Sequence, residues 1–185
     1  WIAAVPEAGA APNLKHIAST RRAVHACEIG PVRNALDALV TAMLNSWGVA
    51  SPEIGAQAFA YARLLQDESA WGIAADAYQS VVDCAQAAND TGLLPVAFLH
   101  MGACLRTFGR FAEAERAYAR AGEIATELGD AYHALLSRVG AANVVANRGN
   151  LPRAEALYDA IIRDTEAMLP GAPVLIEIIA RAKHD

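Results

Sequence analysis

Five histidines and three cysteines are the side chains of this sequence best suited to binding a metal or carrying out a nucleophilic step. His16, His25, His100, His133 and His184 form no i, i+4 pair with a third ligand nearby, so their spacing predicts no metal site. Cys27, Cys84 and Cys104 are odd in number and far apart, with neither a redox pair nor a zinc pattern, and they read as buried, reduced thiols. No glycine-rich phosphate loop is present. Nothing in the order of residues brings Ser, His and Asp, or Cys and His, into one catalytic set. Arg106, Arg110, Arg116 and Arg120 form a local basic cluster, but Glu113, Glu115 and Glu123 lie among them, as on a salt-laced solvent face. The chain is therefore expected to be non-catalytic, without cofactor or metal.

Composition sets the elements that must position any functional side chain. The chain has 185 residues, 43 of them Ala, while aromatic residues reach only 6%. Ala is the best helix former and β-rich folds prefer branched and aromatic side chains, so this count argues against an all-β domain. An apolar content of 55% and a net charge of −5 argue against disorder. The acidic balance, with a pI near 5.5, works against nucleic acid or an anionic membrane as partner. No apolar run approaches the roughly 20 residues needed to span a bilayer. The apolar start, Trp1 to Val5, lacks both the basic flank of a signal peptide and an initiating Met. A cytoplasmic location is the expectation, and the chain reads as a processed product or a piece of something longer.

Self-similarity is the dominant signal. Tyr78, Tyr118 and Tyr158 lie 40 residues apart, as do Ala74, Ala114 and Ala154, and Trp71, Phe111 and Leu151. Ala62, Gly102 and Ala142 keep the same step upstream, followed by Leu65, Leu105 and Val145 and by the turn positions Ser69, Gly109 and Gly149. A fainter copy at an offset of 39 aligns Ala23, Gly30, Val32, Ala35 and Leu39 with the first of these sets. Each unit reads as two helices. The stripe Phe98, Leu99, Gly102, Leu105 belongs to a first helix that Gly109 ends, since positive φ suits a helix terminus. Phe111 to Leu128 forms the second, with Ala where the hairpin closes and Tyr118 filling the space against the next unit. These tyrosines are expected as core seams, not as a ligand cage. Asp130, and Ser51 before Pro52, are expected N-caps. Linkers are expected at Ser46 to Glu53, Asn89 to Pro95 and Pro170 to Pro173.

In these columns the sequence resembles the tetratricopeptide repeat family: Gly102, Leu105, Ala114 and Tyr118 recur as Ala142, Val145, Ala154 and Tyr158, and as Ala62, Leu65, Ala74 and Tyr78. The resemblance implies an all-α fold, an α-solenoid of antiparallel helix pairs. A loosely held segment at 1–12 would precede an array at 13–185, with units at about 15–54 (degenerate), 55–94, 95–134 and 135–174 and a half unit at 175–185. Two features depart from the family pattern. The Trp near the start of the first helix is replaced by Ala58, Phe98 and Arg138, and the period is 40 instead of about 34. Long units of this kind are similar to arrays in bacterial signalling and transcription-regulatory proteins and in kinesin light chains.

The resemblance also implies that the first helices line a concave groove for a protein or peptide partner. Its columns carry over to Phe59, Arg63, Gln66 and Asp67, to Val96, Leu99, Ala103, Arg106 and Thr107, and to Leu136, Val139, Asn143, Ala146 and Asn147. Arg63, Gln66, Arg106, Asn143 and Asn147 are polar members suited to a carboxylate or a peptide backbone. The family's asparagine pairs would fall near Leu99 and His100, where they are absent. Loss of Arg106 and Asn143 together is expected to weaken binding with little effect on the melting temperature. The other expectation is a homo-oligomer built through array ends, with the apolar Leu175, Ile176 and Ile179 as the associating residues.

Overall fold

In a computed structural model, residues 30–45 and 50–168 are described. Among them lie seven α-helices and no strand: α1 (Gly30–Asn45), α2 (Pro52–Asp67), α3 (Trp71–Ala87), α4 (Leu94–Thr107), α5 (Phe111–Glu127), α6 (Ala131–Asn147) and α7 (Leu151–Met168). The self-association residues Leu175, Ile176 and Ile179, the half unit and the 1–12 segment lie outside the described residues.

The helices end by one device. A residue with positive φ follows each of five of them, at Ser69 (59°), Asn89 (53°), Gly109 (89°), Gly129 (70°) and Gly149 (84°), a step of 20 throughout. The next residue's N–H reaches back to a carbonyl five residues earlier, Ala70 to Leu65 at 2.9 Å, Asp90 to Ala85, Arg110 to Leu105 and Asp130 to Ala125 at 2.8 Å, and Asn150 to Val145 at 3.2 Å. This is the Schellman arrangement, which satisfies carbonyls that the last turn would leave unbonded. Starts are less uniform. The Ser51 hydroxyl accepts from the Ile54 N–H at 3.3 Å with Pro52 in the first turn, and Asp130 Oδ1 accepts from the His133 N–H at 3.0 Å, whereas Ala70 and Arg110 make no side-chain cap.

The chain divides into two compact units, one up to Ala97 and one from Phe98. In the first, α2 packs against both α1 and α3. Small residues let the helices approach: Ala58, Ala62 and Ala74 are buried, and the Tyr78 ring, fully enclosed, meets Phe59 edge-on at 5.5 Å between centroids. The linker expected at Asn89 to Pro95 is shorter than that. α4 already begins at Leu94, because Pro95 needs no N–H partner in a first turn and its ring is buried with Leu94.

In the second unit, α6 packs against α5 and α7. Leu135, Val139 and Ala142 of α6 form a buried cluster with Ala154, Tyr158 and Ile161 of α7. The Tyr118 ring of α5 lies against two glycine backbones. A Cβ on Gly102 would come within 2.9 Å of the ring, and one on Gly140 would overlap it. Ala114 and Ala154 are buried like Ala74, so the alanine column marks closely packed positions throughout.

Candidate functional site

The polar residues of the first helices are tied to the buried tyrosines. The Tyr78 hydroxyl donates to Gln66 Oε1 at 2.9 Å, across 12 residues. Arg106 stands at the same 12-residue offset from Tyr118, and its charge lowers that phenol's pKa against the larger effect of burial. At the third position of the Gln66 and Arg106 column stands Ala146, which has no polar group to offer. One turn earlier, Asn143 Oδ1 accepts from the Tyr158 hydroxyl instead. A buried phenol needs such a partner, since an unpaired hydroxyl costs about 1–3 kcal/mol.

The second unit gathers most of the expected polar set. The Arg106 terminal nitrogen Nη1 donates to Asn147 Oδ1 at 2.9 Å in an exposed hydrogen bond, joining the last turns of α4 and α6. Arg106 Nε is buried without a hydrogen-bond partner. Burial raises the Tyr118 and Tyr158 pKa values, and the nearby Arg106 charge opposes the rise at both. Both phenols therefore stay neutral at physiological pH, and that of Tyr158 donates to Asn143.

The remaining expected residues separate by burial. Arg63 is exposed on α2, Phe59 and Gln66 beside it are half-buried, and Leu99 is half-buried on α4. Val139 is only 7% exposed and belongs to the α6–α7 core cluster, so its side chain works in packing. Asn143 is half-buried and accepts from the Tyr158 hydroxyl, so it has a partner within the fold. Arg106 also stands apart from the basic cluster. Arg110 pairs with Glu113 (Nε to Oε1 at 2.7 Å) and Arg120 with Glu123 (2.9 Å), both on α5 or at its start. The Arg110 hydrogen bond holds the Glu113 carboxyl below its ordinary pKa.

The hydrogen bonds from Tyr78 to Gln66 and from Tyr158 to Asn143 were not anticipated from the sequence, and their offsets of 12 and 15 residues differ, so no repeated spacing announced them.

Among the described residues, no group of three or more His, Cys, Asp or Glu is placed to hold a metal ion. Cys84 and Cys104 are free and buried. Burial raises both pKa values, that of Cys104 to about 11, which leaves the thiols protonated and unreactive at neutral pH. Among the described residues no helix is long and apolar enough to cross a membrane. A scan against protein-family models and a search of the curated proteins both find no match.

Proposed function

We propose that the chain is a non-catalytic interaction module of the tetratricopeptide repeat kind, an α-solenoid whose second unit binds an extended peptide or a helix along the first helices α4 and α6. The observation that carries this reading is the succession of left-handed cap residues at 69, 89, 109, 129 and 149, which cuts the chain into helices of near-equal length. Regular repetition of a two-helix unit is how solenoids build long binding surfaces. In the second unit the exposed Asn147 and the half-buried Leu99 and Arg106 give α4 and α6 a mixed apolar and hydrogen-bonding character. Such a face suits a peptide main chain with intermittent side-chain pockets.

Selection of a displayed random-peptide library on the full chain tests the reading. Enriched peptides are expected to lose binding to a variant carrying Asn147→Glu, an exposed site whose change leaves the helical circular dichroism intact. Equal binding to both forms places the surface elsewhere.

A further inference from the structure

Two columns that the repeat buries in α3 and α5 stand open in α7. Ala77 and Ala117 are 7% and 2% exposed, yet Leu157, the next residue of that column, is 37% exposed. Cys84 and Ile124 are buried in the same way, and their column ends in the exposed Asp164. The sequence beyond α7 does not repeat the packing of α6 on α5. There, a Cβ on Gly122 would come within 2.6 Å of Ser137 Oγ, so the two helices meet through a glycine and a buried serine. Forty residues on, the same two positions hold Ile162 and Glu177, a bulky side chain and a charge. Burying an unpaired carboxylate against isoleucine is strongly unfavourable.

The open side of α7 is complementary to itself. Arg153, Leu157, Ala160 and Asp164 follow at steps of four, three and four, which places them on one stripe of the helix. Among the described residues, the Arg153 guanidinium pairs with no carboxylate. Asp164 uses Oδ2 to accept from Arg138 at 2.6 Å, and a carboxylate has further acceptor sites. Turning the stripe end over end about its middle sets Arg153 against Asp164 and Leu157 against Ala160. We infer that the chain self-associates through α7, two copies packing antiparallel along this stripe. Leu157 of each copy lies on Ala160 of the other, and an Arg153–Asp164 pair closes each end. Each contact occurs twice, as a two-fold interface requires, and the opposite charges fix the register. One pair of helices is a small interface, so the association is weak and reversible. It uses neither Arg106 nor Asn147, and is independent of the peptide-groove reading.

The test is sedimentation velocity on the full chain from about 1 μM to about 300 μM, with circular dichroism to verify folding. Wild type is expected to shift from monomer to dimer across this range. Arg153→Asp and Asp164→Arg should each stay monomeric, because each sets like charges face to face. An equimolar mixture of the two should dimerise again, since each chain then offers the charge that the other lacks. Leu157→Asp should abolish association while lowering the melting temperature by less than about 4 °C, as the side chain is partly exposed. A wild type that remains monomeric throughout overturns the inference, and so does a mixture that fails to associate. Association that survives Leu157→Asp and is lost with Ile179→Asp moves the contact off α7 and overturns it as well.

Discussion

Gly140 of α6 faces the Tyr118 ring of α5 so closely that a Cβ there would overlap the ring. The tyrosine fills the gap between consecutive pairs because α6 offers it bare backbone. Gly140→Ala is expected to cost at least about 2 kcal/mol in urea denaturation, since a helix backbone has nowhere to retreat. In a Tyr118→Leu background most of that added cost should vanish, and a double-mutant cycle reads the coupling directly. Additive costs would mean that the ring and the glycine do not share the space.

The turns give a prediction with two signs. Ser69 holds φ of 59°, a conformation its Cβ disfavours, whereas Gly109 and Gly149 fill the same column. Ser69→Gly is expected to stabilise the chain by about 0.5–1 kcal/mol, and Gly109→Ala to destabilise it by about 1 kcal/mol. Chemical denaturation of the two variants checks both signs.

The fold was legible in the sequence wherever one residue type recurs for one physical reason. Ala74, Ala114 and Ala154 recur because close helices admit only small side chains, and Gly109 signals its turn because it alone tolerates positive φ without strain. Ser51 and Asp130 announce their caps through the hydroxyl and carboxylate they bring. The site was less legible. Column transfer treated Val139, Asn143 and Arg106 as equivalent surface positions. Val139 packs in the core, Asn143 accepts from the Tyr158 hydroxyl and Arg106 donates to Asn147, and such pairing depends on side-chain reach that helical periodicity does not encode. The polar partner of Tyr158 stands one turn away from the column that holds the partner of Tyr78, so no single column contains both.

Asp130 predicts an acid-sensitive helix start. Hydrogen bonds from the His133 N–H and then from its ring lower the Asp130 pKa below the ordinary 3.8. A depressed carboxylate pKa contributes stability that is complete above the ordinary value and is lost as pH falls through the folded one. Thermal melts in acid should therefore lose the α6 cap in that window. Asp130→Asn, which still accepts the His133 N–H, should flatten the Asp130 part of the acid dependence, and Asp130→Ala should cost about 0.5–2 kcal/mol at neutral pH. An unchanged acid profile in Asp130→Asn would show that other carboxylates set it.

Cys104 predicts the opposite slope. Burial raises its thiol to about 11, so its contribution is complete below the ordinary thiol value of 9.0 and is lost as pH rises through about 11. At neutral pH its reaction with a disulfide reagent is expected to proceed only through opening of the fold and to follow the denaturant dependence of unfolding. Fast modification of the native chain at Cys104 would contradict its burial.

Hydrogen–deuterium exchange on the full chain, with and without a library-selected peptide, tests the binding face most directly. Protection is expected along α4 and α6, strongest near Asn147, with α5 and α7 unchanged. Protection confined to α3, α5 and α7, or spread evenly over both helices of each pair, would contradict a groove on the first helices.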